Sequence, residues 1–248
     1  MEEPIKALAK ILKESSHIVF FGGAGVSTAS NIPDFRSSNG LYSQKLQRNF
    51  TPEQAVSHSF FVSHTEEFYE FYKTHLVYPD AKPNACHTAL AKLEQMGKLD
   101  AVITQNIDGL HQAAGSRTVY ELHGSVLRNY CTKCHTFYDA DYILKAKGIP
   151  YCGKCQGIVK PDVVLYEEGL DQTVIAKSIE AIRQADTLII GGTSLIVYPA
   201  AGLIDYFYGK NLVLINKSST KADDKADLVI NEDIATVLDD AVRLLDVL

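Results

Sequence analysis

Five short apolar runs rich in isoleucine and valine constrain this chain more than any other feature. They are HIVFF (His17 to Phe21), DAVIT (Asp100 to Thr104), TLII (Thr187 to Ile190), LVLI (Leu212 to Ile215) and DLVI (Asp227 to Ile230). Continuous rather than alternating apolar character is what strands covered on both faces require. Amphipathic stretches lie between the runs. The first sixteen residues form one, with acids at its start. Asn84 to Met96 puts Leu90 and Leu93 on one side and stops at Gly97, a plausible C-terminal cap. Asp171 is placed to cap a helix running to Ala185. Strands alternating with helices imply βαβ units and a mostly parallel sheet. Two segments break the alternation: Ser37 to Pro79, helical and aromatic-rich, and Tyr130 to Val159, dominated by cysteine pairs. Both read as insertions that form a second, smaller domain beside a nucleotide-binding core.

The polar content narrows the partners. A formal net charge of −6 argues against tracking nucleic acid through bulk electrostatics, yet suits a lysine-rich peptide. No apolar run reaches membrane-spanning length. The N-terminus lacks the basic flank and apolar block of a secretion signal, so a cytoplasmic protein with no membrane partner is expected. In a reducing compartment the five cysteines favour a metal over disulfides. Cys131 and Cys134, then Cys152 and Cys155, make two C-x-x-C pairs suited to one tetrahedral, structural zinc ion. Four thiolates leave no position for a catalytic water. Cys86 stands apart and reads as a buried helix residue.

Several strand ends carry glycine or polar turns. HIVFF runs into Gly22, Gly23, Ala24 and Gly25, then Val26, Ser27 and Thr28. Glycines at a strand-to-helix turn let the backbone approach a pyrophosphate, with a helix N-terminus supplying N–H groups. Asp34, Phe35 and Arg36 follow just beyond. DAVIT leads into Gln105, Asn106, Ile107 and Asp108, polar groups suited to a ribose and a carboxamide; Asp108 also reads as a helix cap. TLII leads into Gly191, Gly192, Thr193 and Ser194, and LVLI into Asn216. In an open parallel sheet, ligands bind beyond the carboxyl ends of strands, and the agreement of these ends points to one extended cofactor. His123 follows the short strand VYEL and precedes Gly124; a neutral imidazole there is a natural general base. His111 reads as a supporting residue, His17, His58, His64, His75 and His87 as structural or solvated, and His135 as a neighbour of the cysteine pairs surplus to their four thiolates.

Taken in order, GAGVS, IPDFR, TQNIDGLH, ELHG, the two C-x-x-C pairs, GTSL with VYPA, and LINK resemble the sirtuin family, in a bacterial lineage near its root. The likeness spans residues 17 to 217. It implies an α/β fold: a Rossmann-like parallel-sheet domain over residues 1–36, 80–125 and 160–248, with a smaller inserted domain. That smaller domain comprises a helical insertion, 37–79, and a four-cysteine zinc module, 126–159. The implied activity is NAD-dependent protein-lysine deacetylation: nicotinamide is released, and the acetyl group of an acetylated lysine passes to ADP-ribose. His123 is then the general base and Asn106 a second catalytic residue. The implied cofactor-binding set is Gly23, Ala24, Gly25, Thr28, Asp34, Phe35, Arg36, Gln105, Asn106, Ile107, Asp108, Gly192, Thr193, Ser194, Asn216 and Lys217. Val164, Leu165 and Tyr166 are the implied substrate-binding segment, its backbone pairing with the peptide as an added strand.

Three departures stand out. Gly22 occupies a position where threonine is common, Asn31 replaces a glycine, and Tyr166-Glu167-Glu168 replaces the usual phenylalanine-glycine-glutamate. Asn31 tolerates left-handed backbone and is expected to keep the turn. The branch that acts on acidic acyl groups resembles a tyrosine followed three residues later by arginine; here Tyr72 is followed by His75, which favours acetyl over succinyl. An ADP-ribosyltransferase, a non-catalytic NAD sensor and a zinc-ribbon nucleic-acid binder are the alternative readings. The last is disfavoured by the acidic charge and the lack of a basic-aromatic stripe.

Overall fold

The structure, a computed structural model, describes residues 2–35, 40 and 50–245. Its described strands, numbered along the chain, are β1 (Ile18–Gly22), β2 (Leu99–Thr104), β3 (Val119–Glu121), β4 (Gly124–Cys131), β5 (Phe137–Tyr138), β6 (Val159–Val163), β7 (Thr187–Gly191), β8 (Asn211–Ile215) and β9 (Leu228–Ile230). The described α-helices are α1 (Glu2–Glu14), α2 (Pro52–Ala55), α3 (His58–Ser63), α4 (Thr65–His75), α5 (Ala85–Gln95), α6 (Leu110–Ala113), α7 (Ala140–Lys145), α8 (Gln172–Gln184) and α9 (Ile234–Leu245).

The main sheet runs β3-β2-β1-β7-β8-β9, all parallel. This is the doubly wound order, and it reverses between β1 and β7, where a crevice opens at the carboxyl edge. The pleat sends alternate side chains to opposite layers. Ile18 and Phe20 join α1, α5 and α9, through Leu8, Leu90 and Leu238. Val19 and Phe21 join Ile182 of α8 and Leu203. Local signals set the helix ends. The Asp171 carboxylate accepts the N–H groups of Thr173 and Val174. Asn84 is the N-cap of α5 rather than its first residue, and Gly97 beyond it has φ 69°.

A second unit is built from α2, α3, α4 and α7 with the antiparallel sheet β5-β4-β6. Its core is aromatic: Phe61, Phe68, Tyr69, Phe71 and Tyr72 pack with Val126, Val159 and the cysteines. Cys131, Cys134, Cys152 and Cys155 bring four sulfur atoms within 4.8 Å of one another. The separations are 3.4 Å for Cys131 to Cys155 and 3.6 Å for Cys134 to Cys152. Tetrahedral zinc–thiolate bonds of about 2.3 Å place sulfurs about 3.8 Å apart, so the cage fits one zinc ion. Each knuckle folds back on its first sulfur, with the N–H groups of Lys133 and Lys154 3.4 Å from the sulfurs of Cys131 and Cys152.

Under the main sheet lies a buried histidine pair. His87 and His111 are 0 % and 1 % exposed, with ring centroids 4.7 Å apart. His87 Nδ1 accepts the N–H of Asn84 at 3.2 Å, which leaves the proton of the neutral ring on Nε2. Both nitrogens of His111 and Nε2 of His87 lack a protein partner. Burial pushes His87 down to about 4, against the pull of Asp108. Burial, with His87 alongside, pushes His111 down to about 3.

Elemental analysis is expected to find one zinc per chain, and Cys152→Ser to lose the metal and unfold the small unit. A zinc-free chain with an unchanged melting temperature contradicts this. The histidine pair predicts a pH dependence. An unfolded histidine takes up a proton near pH 6.5, whereas the folded pair resists until well below that. Stability is therefore complete above about pH 6.5 and falls as the pH drops toward about 4. Denaturant unfolding of wild type and His111→Gln across this range checks it; equal slopes defeat it.

Candidate functional site

Register aligns the strand ends. Gly22 pairs with Thr104 and with Gly191, Thr104 with Glu121, and Gly191 with Ile215. The residues that follow therefore share one edge, which gathers Gly23 to Thr28, Gln105 to Asp108, His123, Gly192 to Ser194, and Asn216 with Lys217.

The two glycine loops close on each other across the switch point. Gly23 N–H donates to the Gly191 carbonyl at 3.2 Å and Gly25 N–H to the Gly192 carbonyl at 2.8 Å. Gly192 has φ 61°, and a Cβ there would lie 2.5 Å from the Val26 nitrogen. The N–H groups of Gly23 and Gly25 are thus spent on the neighbouring loop. The expected helix N-terminus does not follow. Residues Ala24–Val26 and Thr28–Ser30 are short 3₁₀ turns, ended by Asn31 at φ 63°. Asn31 does keep the left-handed turn. At Gly22 a side chain would press on the buried Phe20 ring, with Cβ 2.5 Å from its Cε1.

The turns carry Ser27 over the NID segment. Ser27 Oγ donates to Asp108 at 2.7 Å and accepts from Asn106 Nδ2 at 3.1 Å. Sequence reasoning left Ser27 out of the site; its only signal was its place in GAGVS. Asn106 N–H donates to Thr104 Oγ1 at 3.0 Å. Asp108 accepts from Leu110 N–H at 2.9 Å, although Gly109 is the N-cap of α6. Thr193 Oγ1 donates to Gln105 Oε1 at 3.2 Å, and Thr193 N–H to Asn216 Oδ1 at 2.9 Å. Gln105 Nε2 and Asn216 Nδ2 are buried donors without a protein partner. Two such amide donors flanking a threonine fit the oxygens of a sugar-phosphate ligand such as NAD.

His123 Nδ1 lies 2.9 Å from the Gln105 carbonyl. A carbonyl only accepts, so Nδ1 carries the proton and the Nε2 lone pair is left as an acceptor. Burial lowers the imidazole pKa by more than this hydrogen bond raises it, so the ring is neutral at physiological pH. Gly124 has φ 73°, and a Cβ there would meet the Asp162 carbonyl oxygen at 1.9 Å.

The remaining residues divide. Phe35 and Ile107 pack against the aromatic core of the second unit, at the seam. Asp34 is half-buried and Ser194 exposed. Arg36 lies outside the described residues. Lys217 Nζ sits 2.8 Å from Asp233. Val164 N–H donates to the His123 carbonyl at 3.0 Å. Tyr166 is exposed, but Leu165 is buried at 3 % and faces the small unit's core. Tyr166 N–H donates to Val56 and its carbonyl accepts from His58, so these two groups already serve the helical unit. Glu167 takes φ 76°, the left-handed position that glycine would favour, and its carboxylate is held by Ser59 N–H and Oγ at 2.8 and 2.6 Å.

Residues 23–199 match the Sir2 family model. A relative from Clostridium perfringens named NAD-dependent protein deacetylase is 69 % identical over 239 residues, spanning 96 % of this chain and 98 % of its own. A solved Sir2 enzyme superposes with a TM-score of 0.89 at 40 % identity, over 99 % of both chains. Another, with a deacetylated p53 peptide and 3′-O-acetyl-ADP-ribose, gives a TM-score of 0.88 at 39 % identity, over 97 % of this chain and 98 % of that one. With its strand order, cysteine cage and edge residues in agreement, this chain belongs to the Sir2 family.

Proposed function

We propose that this protein is an NAD-dependent protein-lysine deacetylase, with His123 as general base. The observation that carries the reading is the His123–Gln105 hydrogen bond. It leaves a neutral Nε2 as acceptor on the same edge as two unpartnered amide donors. NAD, as cosubstrate, would supply an anomeric carbon from which nicotinamide leaves as the acyl oxygen of acetyl-lysine bonds to it. A ribose hydroxyl then takes the acyl carbon, and one water supplies the oxygen with which the lysine amine is released and the acetyl group stays on ADP-ribose.

The chain's own residues have distinct tasks. His123 Nε2 takes the proton of a ribose hydroxyl once the acyl oxygen has attacked. The Asn106–Ser27–Asp108 chain holds the nicotinamide pocket in shape, with Asp34, Ile107 and Phe35 around it. Gln105 holds ribose, and Thr193, Ser194 and Asn216 hold phosphate and the adenosine ribose, with Ala24 and Thr28 on the facing turn. The Val164–His123 link couples the peptide-binding segment to the base. Exposed Tyr166 borders the lysine tunnel, whereas Leu165 supports it from the core.

Acyl preference follows from α4. Tyr72 is buried among aromatic rings. His75 stacks on Phe71 at 4.6 Å, with Nδ1 3.2 Å from the Phe71 carbonyl. Lys73 is turned away, donating to the carbonyls of Ala146 at 2.7 Å and Gly148 at 2.8 Å. None of the three offers the rigid, charged fork that grips a carboxylate.

Acetyl-lysine peptide is expected to lose its acetyl group only with NAD, one nicotinamide per acetyl. His123→Ala should stay folded and lose about 10²- to 10⁴-fold in turnover. Equal rates without NAD, or wild-type turnover in a folded His123→Ala protein, would overturn the assignment. On matched peptides, acetyl-lysine is expected to exceed succinyl-lysine in kcat/KM by about tenfold or more. Parity between the two acyl groups contradicts the reading of α4.

A further inference from the structure

Lys217 and Asp233 occupy the carboxyl edge beside Asn216, away from the reacting end. Lys217 follows β8, and its Nζ lies 2.8 Å from Asp233 Oδ2. Asp233 precedes α9, and its Oδ1 accepts the N–H groups of Ala235 at 3.0 Å and Thr236 at 3.3 Å. The helix is pressed onto the sheet edge, since a Cβ on Gly191 would lie 2.0 Å from Ile234 Cδ1. Asn216 N–H donates to the Ile230 carbonyl at 3.1 Å, which ties the ends of β8 and β9 together. The Asp233 carboxylate is thus placed by backbone, with side-chain exposure of 32 %. Burial alone would raise its pKa, but Lys217 and the two N–H groups more than offset this, so it is charged at neutral pH.

In doubly wound sheets an acidic residue about 20 residues beyond the glycine loop meets a ribose 2′-hydroxyl, and a nearby basic one accommodates a 2′-phosphate. Here Lys217, after β8, holds that strand-end place, and Asp233 reaches it from the end of β9. This chain has both, paired with each other. We propose that Asp233 makes the site select NAD over NADP, by neutralising Lys217 and setting a fixed carboxylate beside the adenosine ribose. A 2′-phosphate then meets an anion and a lysine already engaged. A hydroxyl meets an acceptor. This rests on the reading that Thr193 and Asn216 hold the adenosine half of the cofactor.

The test uses calorimetric binding of ADP-ribose and 2′-phospho-ADP-ribose to the full chain, which needs no turnover. Asp233→Asn and Asp233→Ser both retain a good N-cap, so α9 stays folded. Wild type is expected to prefer ADP-ribose. Either variant should shrink that preference about tenfold, because like-charge repulsion is lost and Lys217 is released. Adding Lys217→Ala to Asp233→Asn should cancel the gain in affinity for the phosphorylated ligand. An unchanged preference in both folded variants overturns the inference and leaves the cofactor reading intact. Wild type that binds neither ligand overturns the cofactor reading, and this inference with it.

Discussion

The backbone contact between two glycine loops holds the site together. Gly23 and Gly25 donate to the carbonyls of Gly191 and Gly192, at the point where strand order reverses. Side chains on these loops would force them apart, as the 2.5 Å approach of a Gly192 Cβ to Val26 nitrogen shows. With its first N–H groups committed, the chain leaving β1 turns through 3₁₀ geometry instead of starting an α-helix. That path sets Ser27 over Asp108 and Asn106. On the other side, the β7 loop reaches Gln105 and Asn216 through Thr193. Ligand recognition at this edge therefore falls to side-chain amides and hydroxyls more than to a helix dipole.

His123, the proposed base, is held at the seam of the two units. β4 begins directly after His123, and Gly124 lets it pass within van der Waals contact of the Asp162 carbonyl. Val164 N–H returns from the end of β6 to the His123 carbonyl, and Val126 N–H donates to the Ile107 carbonyl at 2.9 Å. The same β4 ends in Cys131, so one strand joins the cysteine cage to His123. Zinc in that cage, with no chemical task, would still help fix where His123 stands, because loss of the cage would free one end of that strand.

Features set by near neighbours along the chain are legible in the amino-acid sequence. Burial on both faces dictates unbroken apolar runs, and all five predicted runs are strands of the parallel sheet. Cysteine spacing determines the cage because two C-x-x-C knuckles supply a tetrahedron almost alone. Asp171, Gly97 and Asn31 declare their turns through local hydrogen bonds and φ preference. Gln105, Thr193 and Asn216 meet because parallel register brings strand ends into one row, and polar residues at those ends are visible in the sequence.

What the sequence by itself determined is the five apolar strands of the parallel sheet, the metal cage and the edge on which a cofactor would sit. Tertiary structure alone decided how each group is spent. Ser27 reaches Asp108 across 81 residues, and Thr193 reaches Gln105 across 88. Leu165 turned inward between half-buried Val164 and exposed Tyr166, and Lys217 took Asp233 as its partner. The physical reason is range. Periodicity, caps and ligand spacing act over a few residues, whereas hydrogen-bond partners and burial depend on which distant segments the fold brings together.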